Sequence, residues 1–138
     1  MGLNHKQIGE VAERTGLSLR TIRYYEEVGL ITPSARSHGG FRLYTESDIA
    51  RLMLVKRMKP LDFSLEEMRD LLSVLDDLER DDVEASVREA GLDRLSMYET
   101  AAEERCASLR TQLETAQEFA GSLRREVRRQ RQVVSRSR

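Results

Sequence analysis

Two arginines and a tyrosine share one face of a short predicted helix near the start of the chain. In the stretch "SLRTIRYYEEVGLI", Arg20, Arg23 and Tyr24 stand at i, i+3 and i+4, so a helix places them side by side. Guanidinium groups suit guanine edges and phosphates, and a tyrosine hydroxyl suits phosphate. A solvated face would usually alternate acids with its bases, whereas here Glu27 comes only at the C-terminal end. The pattern therefore favours nucleic-acid contact, with an ordinary solvated face as the alternative.

Residues around this face predict two helices joined by a tight turn. Asn4, with Gln7 three residues later, is typical of a helix N-terminus, and Gly16 would end that first helix. Ser18 would cap the second helix, and Gly29 would end it. The pair forms a helix-turn-helix pattern whose second helix carries the arginines. The residues predicted to face inward from the second helix are Leu19, Ile22, Tyr25 and Val28.

The segment "ITPSARSHGGFRLY" predicts two short strands around a glycine-rich tip, a β-hairpin or wing. Arg36 and Arg42 on this hairpin would extend the positive strip. Two capping boxes follow, Thr45 with Asp48 and Ser64 with Glu67, and each predicts the start of a further helix. The first of these helices should end just before Pro60. All residues through 75 are expected to form one small core.

The net charge of −1 argues against a nucleic-acid partner only if the charges are mixed along the chain, and they are not. Residues 1–61 carry a net +4, residues 62–104 a net −11, and residues 124–138 a net +6. A basic head, an acidic middle and a basic tail predict separate roles along one chain. No apolar run approaches the roughly 18 residues of a membrane span. We expect a cytoplasmic, nucleoid-associated protein.

The C-terminal third has the period of a coiled coil. From Asp93 there is no proline and one glycine for over thirty residues, and apolar residues recur in two series of period seven offset by four. A helix over 93–130 would be about 57 Å long at 1.5 Å per residue. Nothing else in the chain could cover its apolar stripe, so a homodimer is predicted. The predicted dimerisation residues are Leu95, Ala102, Cys106, Leu109, Leu113, Ala116, Ala120, Leu123 and Val127, with Val134 at the end of the second series.

The resulting domain organisation has four parts. The acidic segment "DDLERDD" interrupts the helical pattern and reads as a linker, with a short helix over 81–90 that would end at Gly91. We expect a winged helix-turn-helix domain over 1–75, a linker over 76–92, a dimerisation helix over 93–130 and a disordered basic tail over 131–138. The fold class is mainly α, with four helices and a small β-hairpin before the coiled-coil helix.

The run from Ile8 to Leu72 resembles the DNA-binding domain of the MerR family of transcription regulators. The motifs "TIRYYEEVGLI", "GGFRLY" and "FSLEEMRDLL" stand at that family's spacing. The resemblance implies an antiparallel homodimer that binds a near-palindromic operator. It also implies that the dimer bends and untwists an overlong promoter spacer so that RNA polymerase can engage it. Matched motif by motif, the DNA-binding residues are Arg20, Thr21, Arg23 and Tyr24 on the recognition helix, Arg36, Phe41 and Arg42 on the wing, and Lys59 between the third and fourth helices.

Two positions depart from the family pattern. The wing aromatic is usually tyrosine, and Phe41 has no hydroxyl to offer a phosphate. The loop before "FS" usually carries glycine, whereas here Asp62 would have to adopt a left-handed conformation at some cost. Asp62 also brings a negative charge close to where Lys59 would meet DNA.

The sequence predicts no cofactor, no metal site and no catalytic residues. Structural metal sites need about four nitrogen or sulfur ligands, and Cys106 is the single cysteine. Packing on the seam and thiol sensing are the two interpretations of Cys106, and packing is favoured. We expect His5 and His38 to be ordinary surface histidines. No catalytic group stands in a pocket motif, which argues against an enzyme.

The basic tail and the function each have alternatives. The tail is either a frayed, solvated helix end or an auxiliary contact to DNA phosphate or to the acidic region of a second chain. The leading prediction for function is a dimeric regulator that distorts promoter DNA. The alternatives are an architectural or excisionase-like DNA-bending protein, and a DNA-tethered module that captures a protein partner through its coiled coil.

Overall fold

A computed structural model describes residues 5–33, 35–36 and 39–137, and the structure is mainly helical. The chain divides into two compact units, the first ending at Tyr98 and the second beginning at Glu99. No helix within the described ranges is long and apolar enough to cross a membrane. The elements are β1 (Lys6–Gln7), α1 (Ile8–Thr15), α2 (Leu19–Glu27), β2 (Ala35–Arg36), β3 (Arg42–Tyr44), α3 (Glu46–Met58), a 3₁₀ turn (Lys59–Leu61), α4 (Leu65–Glu79) and α5 (Ala85–Arg136).

The helix-turn-helix is formed by α1 and α2, as predicted. Gly16 follows α1 at φ 74°, in the left-handed region that glycine adopts without steric cost. Ser18 caps α2, because its Oγ accepts a hydrogen bond of 3.0 Å from the Thr21 amide. Gly29, at φ 80°, ends α2, and the amide of Leu30 donates to the Tyr25 carbonyl at 2.9 Å. These two bonded ends fix the length and direction of α2.

The predicted start of the first helix was wrong. Gln7 is the N-cap residue of α1 and makes no capping bond with its side chain, and Lys6 and Gln7 form a strand. In the strand, the backbone groups of Lys6 and Gln7 have hydrogen-bond partners in a neighbouring strand. A helix that began earlier would lose those hydrogen bonds and would need others in their place. Asn4, the predicted cap, lies outside the described residues. His5, expected on the surface, is half-buried, and its Nδ1 has no partner among the described residues.

The wing contains a third strand that the sequence did not predict. The sheet has the order β1-β3-β2 and is antiparallel throughout. Lys6 lies opposite Tyr44, and Arg36 lies opposite Arg42. Because β1 leads directly into α1, the sheet attaches the wing to the first helix of the helix-turn-helix.

One apolar core holds the first unit together. Its buried side chains come from α1 through α4, as predicted for the residues up to 75. Both predicted capping boxes are present, Thr45 with Asp48 on α3 and Ser64 with Glu67 on α4. Leu19, predicted to face inward, is 42% exposed because it stands at the first position of α2, and Val28 is half-buried. The largest fully buried side chains are Tyr44, Ile22, Leu30, Ile31, Leu52, Val11 and Val55.

Asp62 adopts the left-handed conformation that was predicted for it, at φ 60° and ψ 31°. Among the described residues it is the one non-glycine with positive φ. Its amide donates to the Lys59 carbonyl at 3.0 Å and closes the 3₁₀ turn. The chain therefore turns sharply between α3 and α4 at a residue that carries a side chain where glycine would cost less.

The predicted linker over 76–92 is mostly helical. Helix α4 continues to Glu79, and α5 begins at Ala85 and runs through Gly91 without a break. Gly91 is a position of close approach, since a Cβ built there would lie 3.2 Å from Cδ2 of Leu78. Arg88 donates to the Leu78 carbonyl at 3.1 Å and to the Arg80 carbonyl at 2.7 Å. The predicted helical end at Gly91 is therefore wrong, because this glycine allows α5 to pack closely against α4.

The long helix also extends further than predicted at its other end. It continues through residues 131–136, which we expected to be disordered. Arginine and glutamine are good helix formers, and the run after Gly121 has no proline. The division into functional domains itself stays a prediction.

Candidate DNA-binding surface

The outer face of α2 is exposed, as predicted. Arg20, Arg23 and Glu27 are exposed, and Tyr24 is 49% exposed with its ring 5.8 Å from that of Tyr25. Beneath this face, Ile22 and Tyr25 are buried in the core and hold the helix in place. Neither Arg20 nor Arg23 forms a salt bridge within the part of the chain that the structure describes. Their donors can therefore serve an external acceptor.

Thr21 has a local role as well as a place on this helix. Its amide and its Oγ1 both bond Ser18, with the Ser18 hydroxyl donating to Thr21 Oγ1 at 2.8 Å. The Thr21 hydroxyl keeps its own proton for donation, since in the bond to Ser18 it accepts. Thr21 is half-buried at the first turn of α2. This is the turn that reaches base edges when a recognition helix lies in a major groove.

A cleft on one side of α2 brings the wing to the recognition helix. Arg23 lines this cleft together with Gly40, Phe41 and Arg42, and Ile8 at the start of α1 lines it too. Phe41 is 65% exposed. Arg36 lies in β2 opposite Arg42, and its side chain is outside the described set. The structure thus places three of the predicted DNA-binding residues around one cleft.

A groove on the other side of α2 brings in the turn between α3 and α4. Arg20, Thr21 and Tyr24 line it together with Lys59 and Asp62. Lys59 is exposed, and the carboxyl group of Asp62 shares its groove. The positive charge expected of this groove is therefore partly offset, as the sequence suggested.

Arg42 is already engaged by an acid on the recognition helix. Its Nε donates to Oε2 of Glu26, and the Tyr44 hydroxyl donates to Oε1 of the same carboxylate at 2.8 Å. Glu26 is only 13% exposed, and Tyr44 is fully buried. Burial, and then the bond to Glu26, raises the pKa of Tyr44 above its usual range. Of the five N–H donors of the Arg42 guanidinium, this bond uses one.

Sequence reasoning missed Glu26 because it looked like one of several acids at the end of α2. It also missed a cluster that joins α4 to the first part of α5. Asp70 accepts from Arg94 and, at 2.5 Å, from the Tyr98 hydroxyl, and the ring of Tyr98 lies 6.1 Å from that of Phe63. The bond from Arg94, and then the one from Tyr98, lowers the pKa of Asp70. Arg94 and Tyr98 are one helical turn apart, so a helix places them on one face, and this spacing could have indicated the cluster.

Most of the predicted seam is exposed along α5. Leu113 is 56% exposed, and Leu109, Leu123, Val127 and Val134 are also exposed large apolar side chains. Phe119, which is not on the seam, is exposed as well. Leu95 and Ala102 are half-buried, and Cys106, Ala116 and Ala120 are exposed. Lone apolar residues at a surface are ordinary, but a row of them at heptad spacing is not.

The described residues contain no group of three or more histidine, cysteine, aspartate or glutamate side chains that could hold a metal ion. Cys106 stands alone and exposed on α5. His38 lies outside the described residues. Among the described residues, Cys106 therefore does not belong to a four-ligand metal site.

A helix-turn-helix with a wing beside it, and unpaired arginines on the exposed face of its second helix, defines a winged helix-turn-helix DNA-binding protein. The MerR HTH family of regulatory proteins matches residues 7–75, and the MerR DNA-binding family matches residues 49–134. This chain belongs to the MerR family of DNA-binding transcription regulators, which are not enzymes.

Individual proteins support this assignment. The chain is 38% identical over 106 residues to the transcriptional regulator CueR of Escherichia coli O6:H1, covering 77% of this chain and 76% of that protein. It is 43% identical over 89 residues to the regulator HmrR of Rhizobium leguminosarum bv. viciae, covering 64% and 67%. HiNmlR, a MerR family regulator lacking the sensor domain and solved bound to promoter DNA, has the same fold. Its TM-score is 0.63 at 22% identity, covering 83% of this chain and 79% of HiNmlR.

Proposed function

We propose that this regulator binds a dyad-symmetric promoter operator as a homodimer and distorts the spacer DNA between the promoter elements. RNA polymerase is then the partner that engages the distorted promoter. The proposal places the protein on chromosomal DNA in the cytoplasm. The observation that carries it is the exposed face of α2, where Arg20 and Arg23 have no acidic partner among the described residues.

We assign recognition of the DNA sequence to α2. The contacts that hold the protein on the DNA backbone are assigned to the wing and to the 3₁₀ turn. Arg20 and Arg23 have forked donors suited to guanine O6 and N7, and Thr21 and Tyr24 have hydroxyls suited to phosphate or base edges. Phe41 and Arg42 on the wing and Lys59 on the 3₁₀ turn flank this helix on opposite sides. Arg36 is assigned to the same wing because its strand pairs with Arg42. Contacts of this flanking kind fix the position of a protein on the duplex, while the helix specifies the sequence.

The homodimer is supported by the exposed seam of α5. Apolar side chains at heptad spacing pack efficiently against a second helix of the same pattern. Two protomers present two recognition helices, which matches a palindromic operator with half-sites about one helical turn apart. Bending or untwisting the DNA between such half-sites costs on the order of 1–6 kcal/mol, which the contacts of both protomers would have to offset.

The DNA-reading assignment is tested with Arg20→Ala and Arg23→Ala on an operator selected from a random pool. We expect each variant to lose about 1–3 kcal/mol of preference for the operator over random DNA. Arg57→Ala is the matched control, since it removes an exposed arginine of α3 that forms no salt bridge within the described residues and is outside the predicted DNA-binding set. Equal discrimination by the parent and both α2 variants would refute the assignment.

The distortion proposal is tested by transcription in vitro. Promoters that carry the operator in an overlong spacer and in a spacer of ordinary length are compared, with and without the protein. A promoter-distorting regulator activates the long-spacer promoter, whereas an architectural or excisionase-like protein bends DNA without activating either. A protein-capture module would instead retain its partner when residues 76–138 are used alone.

A further inference from the structure

The C-terminal end of α5 carries a concentrated positive charge. Residues 124–136 contain six arginines and one glutamate, a net +5. Arg129 is paired with Glu126 at 2.6 Å, which, together with a bond from Gln130, lowers the pKa of Glu126 to about 2. Arg124 and Arg131, seven residues apart, line one groove along the helix and form no ion pair within the described residues. This end therefore has cationic groups available on the face that carries Val127 of the seam.

The segment that joins α4 to α5 carries the opposite charge. Residues 76–84 contain six acids and one arginine, a net −5. Asp76 is bonded by Arg51 at 2.7 Å and Asp77 by Arg80 at 2.9 Å. The remaining acids of the segment are Glu79, Asp81, Asp82 and Glu84, which are exposed and form no salt bridge in the described part of the chain.

Pairing two copies of α5 brings these segments together in only one orientation. In a parallel pair the basic ends lie side by side, and so do the acidic segments, which gives repulsion at both ends. In an antiparallel pair with full overlap, Arg136 of one copy lies beside Ala85 of the other, directly after the acidic segment. A shift of one heptad moves the basic end by about 10.5 Å along that segment. After such a shift from full overlap, residue 131 of one copy lies level with residue 83 of the other, so the basic end meets the acidic segment in that register.

We infer that the basic end of α5, residues 124–136, binds the acidic α4–α5 connection, residues 76–84, of a second copy of this chain. This inference rests on the homodimer proposed above and adds to it what sets the orientation of the two helices. The basic end is then an interaction surface for a second protomer and not primarily a DNA-binding tail. By two-fold symmetry the contact occurs twice in each dimer.

Charge reversal in the full-length chain tests the inference. The first variant carries Arg124→Glu and Arg131→Glu, the second carries Asp81→Arg and Asp82→Arg, and the third carries all four changes. The control carries Arg125→Glu and Arg136→Glu, which make the same charge change away from the groove that Arg124 and Arg131 line, at arginines that form no ion pair within the described residues. The dimer dissociation constant is measured by sedimentation in about 0.1 M and 0.5 M salt.

An exposed ion pair changes an equilibrium constant by a factor of about 1.4 to 5, and four such contacts are reversed in each dimer. We expect the first and second variants each to dimerise about tenfold more weakly at low salt, with a smaller effect at high salt. The third variant should regain the parent affinity, and so should an equimolar mixture of the first two. The control lies in the same segment but away from the seam, so it should weaken the dimer less than the first variant does.

Three outcomes would overturn the inference. Dimerisation of the first two variants at parent affinity would show that the segments do not meet. Failure of both the third variant and the mixture to regain affinity would show that the loss is not electrostatic. Unchanged dimerisation with a smaller salt dependence of DNA binding would assign the basic end to phosphate contact. A parent chain that is monomeric would instead refute the homodimer itself.

Discussion

The carboxylate of Glu26 should hold the wing to the recognition helix, and a double-mutant cycle with Tyr44 can measure this. In Glu26→Ala the Tyr44 hydroxyl loses its acceptor while its ring stays fully buried. A buried donor left without a partner costs about 1–3 kcal/mol. The lost Arg42 pair, whose arginine is 36% exposed, adds about 0.5–1 kcal/mol after allowance for solvent screening. The free energy of unfolding should therefore fall by about 1.5–4 kcal/mol.

Tyr44→Phe removes the hydroxyl and with it the donor that Glu26→Ala leaves unpaired. In that background Glu26→Ala should cost only the Arg42 contribution, about 0.5–1 kcal/mol. The coupling between the two substitutions is then about 1–3 kcal/mol. Glu26→Gln is the matched control, because its amide oxygen can still accept from Tyr44 while the charge opposite Arg42 is lost.

Urea unfolding followed by circular dichroism, at a fixed protomer concentration, provides the four free energies of the cycle. A cost of Glu26→Ala that is the same with and without Tyr44→Phe would refute the proposed role of the hydroxyl. A cost of Glu26→Gln equal to that of Glu26→Ala would show that the charge alone matters. Either result would remove the hydrogen bond between Tyr44 and Glu26 as the contact that fixes the wing.

Two further predictions concern the turn before α4 and the first part of α5. Asp62→Gly should stabilise the fold by about 0.5 kcal/mol in urea unfolding, because relief of the left-handed strain exceeds the added flexibility of the unfolded chain, and Asp62→Ala, equally strained, should give no such gain. Burial and the bond to Asp70 raise the pKa of Tyr98 to about 12, above its value near 10 in the unfolded chain. Stability from Tyr98 is thus complete below about pH 10 and is lost as the pH rises toward 12. The decline should be smaller in Tyr98→Phe than in the exposed control Tyr24→Phe, and equal declines would contradict it.

The helix-turn-helix could be predicted from sequence because its signals are local. Ser18, Gly16 and Gly29 act on the backbone within a few residues of their own positions, and each has the role that its type predicted. The conformation of Asp62 was predicted in another way, from the glycine that the MerR family usually carries at this position. Local capping and turn chemistry is the part of a fold that a single sequence states most directly.

The wrong predictions fell at positions whose structure depends on residues that are distant in the sequence. Lys6 and Gln7 form a strand because β3, more than thirty residues later, supplies the pairing partner. Gly91 looked like a helix end, yet it is a contact point for Leu78 of α4. Glycine is equally suited to ending a helix and to allowing close approach, and only the neighbouring element distinguishes the two. The part of the DNA-binding surface built by the wing depends on such contacts too.

The net charge of the first sixty residues does not show which of their arginines are bonded within the protein and which are available to DNA. Several of them are occupied inside the protein: Arg14 bonds Glu46, Arg42 bonds Glu26, and Arg51 bonds Asp76 and the Leu30 carbonyl. These arginines connect α1 to α3, α2 to the wing, and α3 to α4, so they position the elements of the first unit. Arg20 and Arg23 have no such acid within the described residues. A guanidinium without an internal acceptor can be satisfied by water or by a ligand, so recognition of the DNA sequence should fall on these two residues. Substitution of Arg14 or Arg51 should act mainly through stability, whereas substitution of Arg42 should affect both stability and the wing's contact with DNA.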